Sequence, residues 1–253
     1  MSTILSKLSV AVVATVSFSF AQASIVVDFE ADDSGAALNP GDVITGTTIN
    51  GATFSLFNQG DAGNSRRGAT PGAGLPEFGE DLPGLFPSGL NTGTRELILF
   101  NAECSGSSCS GQDPDLAAPG QGNILIISED NDFDDPDDSR FGGTVVIDFD
   151  QAVTSLTSLV IDVDENDPGN NFAAGYFQGQ FVGGFGFTTE GQVNNNLQAA
   201  DFDGPIDLLI INLESSGGIV SLEYTAVPIP AAAWLMMSGL LGLATIKRKL
   251  VKG

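Results

Sequence analysis

Histidine is absent from all 253 residues. Its absence excludes Ser-His-Asp catalysis, the HExxH zinc motif and most general-base mechanisms near neutral pH. Lysine is confined to the two ends, at Lys7 and at Lys247, Lys249 and Lys252. The long stretch between them therefore has no amine for Schiff-base or Ser-Lys chemistry. Its only cations are Arg66, Arg67, Arg95 and Arg140, set against all 32 Asp and Glu, a formal charge of −28 over residues 24–226. Such a surface repels nucleic acid and anionic lipid, because phosphate neutralisation needs Lys and Arg, and it attracts cations. Aromatic platforms are scarce too: Trp234 is the one tryptophan, and Tyr176 and Tyr224 are the only tyrosines.

The ends carry what the middle lacks. Lys7 precedes an apolar run from Leu8 to Phe20 that closes on Ala21-Gln22-Ala23, the three-part pattern of a secretory signal peptide cleaved after Ala23. At the other end, Ile229 to Ile246 carry no charge, and Lys247, Arg248, Lys249 and Lys252 follow. As a helix this run would be about 27 Å long, near the lower limit for crossing a bilayer, with a basic cluster that stays on the cytoplasmic side. Both basic ends then remain inside, and residues 24–226 lie across the inner membrane. In that compartment Cys104 and Cys109 read as a disulfide closing Cys-Ser-Gly-Ser-Ser-Cys, since two thiols are too few for a structural metal site.

The C-terminal residues have an order of their own. Val227, Pro228, Ile229, Pro230, Ala231 and Ala232 are followed by Trp234-Leu235, by Ser238 to Leu243, and by Lys247 to Lys249. This segment resembles the exosortase-processed sorting signals of Gram-negative bacteria, the PEP-CTERM class, in the variant that reads Val-Pro-Leu-Pro-Ala. Ile229 stands where that variant has Leu, and no Glu lies between the prolines. The resemblance implies a sorting motif at Val227, Pro228, Ile229, Pro230 and Ala231. It also implies an exosortase-type processing enzyme and the inner membrane as transient partners. The expected destination is the cell surface or extracellular matrix, in association with exopolysaccharide, after a membrane-anchored precursor.

Three segments follow: a signal peptide at 1–23, an exported domain at 24–226, and a sorting signal at 227–253 with its membrane span at 229–246. Within the exported domain no apolar period of 3.6 residues is sustained, whereas alternation at period two recurs between Gly, Asn, Asp and Pro. Strands are predicted at 25–30, 43–49, 53–57, 96–100, 123–128, 144–150, 156–164, 175–181, 184–188, 206–212 and 219–225. Many short strands with turn-rich connections predict an all-β fold, a β-sandwich of jelly-roll type. Val145, Ile147 and Phe149 make one inward face and Leu159, Ile161 and Val163 another. Residues 58–93, rich in Gly and Pro and without alternation, read as a long mobile surface loop.

The carboxylates gather in two places. Asp130, Asp132 and Asp134 have the alternate spacing of a Ca²⁺ loop, although Asp135 stands where an EF-hand needs Gly. Asp148 and Asp150 on one strand, and Asp162 and Asp164 on the next, form a row of like charges if the strands pair through a turn at 151–155. Like charges side by side on a sheet are destabilising, and a divalent cation would relieve them. Fold analogy adds Asp28, Glu30 and Asp32 near the first strand. The expected cofactor is therefore Ca²⁺, at Asp130, Asp132, Asp134, Asp162 and Asp164.

Three function classes remain. A carboxylate pair can cleave glycosidic bonds without His or Lys, but no isolated acid in an apolar setting stands out as a glycoside hydrolase or lyase residue. A carbohydrate-binding module needs exposed aromatics, and Phe, though plentiful, is a core residue first. The reading that leads, on what the C-terminal resemblance implies, is a non-catalytic surface or matrix protein that binds calcium and no nucleic acid.

Overall fold

The computed structural model describes residues 23–57, 95–103, 116–134, 136, 142–161, 163, 171–187, 197–213 and 217–227. These residues form strands and no helix: β1 (Ser24–Val27), β2 (Thr48–Ile49), β3 (Ala52–Phe57), β4 (Leu97–Asn101), β5 (Asn123–Ile127), β6 (Gly143–Ile161), β7 (Phe172–Phe177), β8 (Gln180–Gly186), β9 (Gln198–Phe202), β10 (Ile206–Leu213) and β11 (Gly218–Ala226). The all-β expectation holds. The jelly-roll sandwich does not, because the strands belong to one 11-stranded sheet whose main path runs β4-β5-β11-β6-β10-β7-β8. The ends of that path, β4 and β8, do not pair with each other, so the sheet is open.

The cause is β6. It runs for 19 residues through the Gln151–Ser155 region that the sequence suggested as a turn. Val, Ile and Thr dominate it, and β-branched side chains suit a pleated surface. Its first half pairs with β3 on one side and β10 on the other. Its second half pairs with β9 and β11. Strands that a jelly roll would divide between two sheets are thus hydrogen-bonded through one. The strand bends rather than breaks: the register with β10 slips between Leu208, opposite Asp148, and Ile206, opposite Val153. Ser155 adopts a left-handed φ of 50° just beyond. Since 144–150 and 156–161 are successive parts of one strand, they do not pair with each other through a turn at 151–155.

Alternation places apolar side chains on both faces. Val145, Ile147 and Phe149 join Leu156 and Val160 of β6, Leu209 and Ile211 of β10, Leu222 and Tyr224 of β11, and Leu97 and Leu99 of β4 in one continuous core. The opposite face buries two further clusters. One holds Ile98, Phe100, Ile124, Ile126, Ile161 and Val220, with Leu116 packed against them. The other holds Val146, Ala174, Tyr176, Leu208 and Ile210. The expected inward face of Leu159, Ile161 and Val163 is therefore split: Ile161 and Leu159 pack in a satellite cluster, and Val163 reaches the main core.

Two tight turns fix the hairpins. Asn50 (φ 52°) and Gly51 (φ 84°) join β2 to β3, and Gln178 (φ 50°) and Gly179 (φ 75°) join β7 to β8. Two consecutive positive φ values match the right-handed twist of the flanking strands. The second turn falls inside the span 175–181 expected as one strand, which is corrected to a hairpin. The span 43–49 shrinks to β2 and a single bridge from Val43 to Ile98. β9, with Asp201 amid Gln and Ala, has too weak an apolar alternation to be seen in the sequence.

No helix among the described residues is long and apolar enough to cross a membrane. The membrane-spanning sorting helix, and the precursor anchored by it, are corrected on that finding: no described element carries them, and the segment 229–246 lies outside the described residues. So do the signal peptide apart from Ala23, the loop 58–93, and Pro228, Ile229, Pro230 and Ala231 of the sorting motif. Cys104 and Cys109 also lie outside, and the described residues contain no disulfide.

Candidate functional site

The acidic turn after β5 is held by its own side chains. The backbone N–H of Asp132 donates to Asp130 Oδ1 at 2.8 Å, and that of Asp134 to Asp132 Oδ1 at 3.1 Å. Asn131, with φ 65°, accepts from the Glu96 N–H through Oδ1 at 3.0 Å, and its own N–H reaches Ser128 Oγ at 2.8 Å. The two Asp bonds are Asx-type closures, in which a short carboxylate replaces a backbone acceptor. Two of the three predicted ligands thus have an oxygen on neighbouring backbone. Among the described residues no three His, Cys, Asp or Glu side chains converge where a metal ion could sit. Asp162 and Asp164 lie outside the described residues.

The loop after β1 follows the same logic. Asp32 Oδ1 accepts from the Ser34 N–H at 2.8 Å, the Ser34 hydroxyl at 2.6 Å and the Ala36 N–H at 2.9 Å. The Ser34 hydroxyl, then the Ala36 amide, hold the Asp32 carboxyl below its ordinary value. Glu30 Oε1 accepts from the buried Asn123 N–H at 2.7 Å, while the Asn123 amide reaches the carbonyls of Phe29 and Leu38. Gly122 (φ 67°) lies directly beneath that carboxylate, where a Cβ would collide with it. Glu103 Oε1 accepts from both Gly120 and Gly122. The Glu30 N–H donates to Asp28 Oδ1 at 3.2 Å, so Asp28, Glu30 and Asp32 each have one oxygen on a backbone donor.

Of the four arginines within residues 24–226, Arg95 alone is among the described residues. It donates to the Gly142 carbonyl at 3.2 Å. Burial lowers its pKa, and Glu129 opposes that shift. Every described Asp and Glu is exposed or half-buried.

Tyr224 is the most perturbed group. Its hydroxyl donates to the Asn50 carbonyl at 2.6 Å, and its ring meets Phe149 edge-on at 5.0 Å. Asn50 also donates through its backbone N–H to Asp33 and through its side chain to the Val26 carbonyl at 2.8 Å. Burial, then the charges of Asp33 and Asp150, push the Tyr224 phenol up to about 12. A proton held so tightly makes this a structural clasp, since no acid or base working near neutral pH could use it.

The third region was not foreseen from the sequence. β8 is the last strand of the sheet path, and its side chains are exposed along almost its whole length. Phe181 is 62% exposed, and Val182 and Phe185 are exposed beside it. Phe181 leans edge-on against Tyr176 at 5.7 Å, and Phe185 packs near Phe187 at 5.5 Å. The bulge at Val182, where β8 slips against β7 between Gly175 and Tyr176, puts Phe181 and Phe185 on opposite faces. The available signal is the Gln178-Gly179 pair between two Phe-bearing runs.

No protein-family model matches the chain, and no curated protein matches it.

Proposed function

We propose that the chain is a non-catalytic surface or matrix protein of the exosortase-processed class that its C-terminus resembles. The observation that carries the non-catalytic part is the use of its acids. No described carboxylate is buried, and many accept hydrogen bonds from the chain's own backbone. A glycosidase acid needs the opposite setting, a desolvated carboxyl with a raised pKa facing a second carboxylate. Ca²⁺ belongs to this reading as a cation gathered by the acidic surface, without a coordination shell among the described residues.

The second reading, a carbohydrate-binding module, is favoured by one observation: Phe181 stands exposed, edge-on to Tyr176. Aromatic faces of this kind can stack on sugar rings. The test is incubation of the full chain with a panel of polysaccharides, reading both reducing-end release and retention on the insoluble glycans. The leading reading expects no release. Turnover abolished by a single Asp→Asn change would refute it. Retention lost in Phe181→Ala, without turnover, would move the assignment to the second reading.

A further inference from the structure

We propose that Asn50 is a covalent modification site of this chain. There the Gly51 nitrogen displaces the side-chain amide and leaves an aspartate or isoaspartate, and the hydrogen bonds around the β2–β3 turn set how often this happens. The proposal rests on the turn and does not require the surface-protein reading.

Asn50 is the one asparagine among the 253 residues that precedes a glycine. The attacking group is the backbone nitrogen of the following residue, and glycine has no Cβ to shield it. Bulkier residues follow Asn101, Asn123, Asn131 and Asn212, and Pro40, after Asn39, has no N–H to give up. Asn50 is also exposed, so water reaches the amide and ammonia can leave without opening the core. In the reaction, base removes the Gly51 N–H proton and the nitrogen attacks Asn50 Cγ. The N–Cγ bond forms, the Cγ–Nδ2 bond breaks, and ammonia departs with a proton from water. A second water opens the five-membered imide. Attack at Cγ gives aspartate, and attack at the former backbone carbonyl gives isoaspartate.

The folded turn opposes ring closure. Positive φ at Asn50 (52°) and Gly51 (84°) is the pattern of a type I′ turn, whose first central residue has a ψ of about +30°. Ring closure needs the Gly51 nitrogen nearly eclipsed with Asn50 Cβ, which is a different ψ. Three hydrogen bonds resist the rotation, each at a different part of Asn50. The Tyr224 hydroxyl donates to the carbonyl at 2.6 Å and holds ψ. Nδ2, the leaving nitrogen, donates to the Val26 carbonyl at 2.8 Å. The backbone N–H donates to Asp33 and holds φ. Past the turn, the Gly51 carbonyl accepts from the Asp150 N–H at 2.9 Å. The site is thus reactive by sequence and closed by packing, and it reacts from a locally opened turn. The product does not fit back. A carboxylate at position 50 has no hydrogen for the Val26 carbonyl, and its charge joins those of Asp33 and Asp150 at the turn. Isoaspartate adds a carbon to the main chain of a two-residue turn, which breaks the register of Ile49 opposite Ala52. The step is therefore one-way.

The test is peptide mapping of the full chain incubated at mildly alkaline pH in water labelled with heavy oxygen, folded and in urea. We expect label at position 50, entering the folded chain about tenfold or more slowly than the unfolded one. Tyr224→Phe should speed the folded reaction about fivefold, the factor that one hydrogen bond supplies, and leave the unfolded rate unchanged. Ile126→Val, in the satellite cluster, lowers global stability by a similar amount and should leave the folded rate as it is. Asn50→Asp, which carries the product charge, should show faster hydrogen exchange along β2 and β3 than wild type. An Asn50 amide that stays intact in the unfolded chain would overturn the site. Equal folded and unfolded rates, a Tyr224→Phe rate equal to wild type, or an equal acceleration by Ile126→Val would overturn its control by the turn. Unaltered exchange in Asn50→Asp would overturn the one-way step.

Discussion

Replacing Tyr224 with Phe removes one oxygen and keeps the ring. The edge-on contact with Phe149 at 5.0 Å should survive, as should the place of the side chain in the main core. What is lost is the 2.6 Å bond to the Asn50 carbonyl, which links β11 to the turn between β2 and β3 across 174 residues of sequence. A hydrogen bond of this kind contributes about 0.5–1.5 kcal/mol net. Asn50 is exposed, so water can recover part of its carbonyl, and the expected cost is about 1 kcal/mol at pH 7. Tyr224→Ala would instead empty the core position, at about 3–5 kcal/mol. Alkaline pH separates the hydroxyl from the ring. The folded pKa of about 12 lies above the ordinary value of 10.0. The contribution of that proton is complete below the unfolded value and is lost as pH rises from about 10 towards about 12. Wild type should therefore lose stability across that window faster than Tyr224→Phe, and the gap between them should close. Tyr176, whose phenol is also raised by burial, titrates in the same direction, so both proteins are compared in a Tyr176→Phe background. Urea denaturation at stepped pH, with tyrosinate absorbance followed in the folded state, measures both parts. Equal midpoints at pH 7, or a Tyr224 phenol that ionises near its ordinary value in the folded chain, would refute the clasp.

Ser158 is fully buried opposite Leu222 and Ala200, and its hydroxyl has no hydrogen-bond partner, so Ser158→Ala should raise stability by about 1 kcal/mol in a denaturant melt. Asp130→Asn/Asp132→Asn keeps both Oδ1 acceptors and should leave the thermal midpoint in Ca²⁺, Mg²⁺ and EDTA unchanged at matched ionic strength; loss of a Ca²⁺-specific shift in the double variant would restore the metal site. Asp130→Ala/Asp132→Ala, which removes the acceptors, should cost about 0.5 kcal/mol at each position. Because the Asp32 carboxyl is held below its ordinary value of 3.8, its contribution is present above about pH 4 and falls away as pH drops through the depressed value. An acid titration of stability should then be less steep in Asp32→Ala than in wild type, and identical curves would count against the Ser34 and Ala36 closure.

The strands were legible where apolar residues alternate, as in 53–57, 123–127, 206–213 and 218–226. They were not legible as an arrangement. Period two fixes which side chains share a face, but not whether a strand ends or bends. Gln151 to Ser155 looks like a turn because its polar residues interrupt the apolar run, yet it remains extended, with a register slip and one left-handed residue. The same limit applies to the acids. Spacing puts Asp130, Asp132 and Asp134 on one loop, and the closure of that loop then directs carboxylate oxygens to backbone donors. Asn50-Gly51 is the strongest short hairpin signal in the chain and fixes the turn that Tyr224 clasps. Nothing in the sequence around Tyr224 indicates a partner 174 residues away.

A chain without histidine and almost without interior cations must satisfy its loop donors with something, because a backbone N–H withdrawn from water needs an acceptor. Here carboxylates supply it, through Asp32, Asp42, Glu30, Glu103, Asp130, Asp132 and Asp207. The acidity is therefore first a property of the turns, and the charge it leaves on the surface is a consequence. The device reaches the β7–β8 hairpin and stops at its turn, where Asp207 accepts from the Gln178 N–H at 2.8 Å. Beyond it, β7 is the one strand partner of β8 among the described residues. The acids that close the turns elsewhere also keep other copies away from those turns. The stretch between Asp167 and Glu190 carries no charge of its own, so the carboxylate that closes its turn has to come from β10.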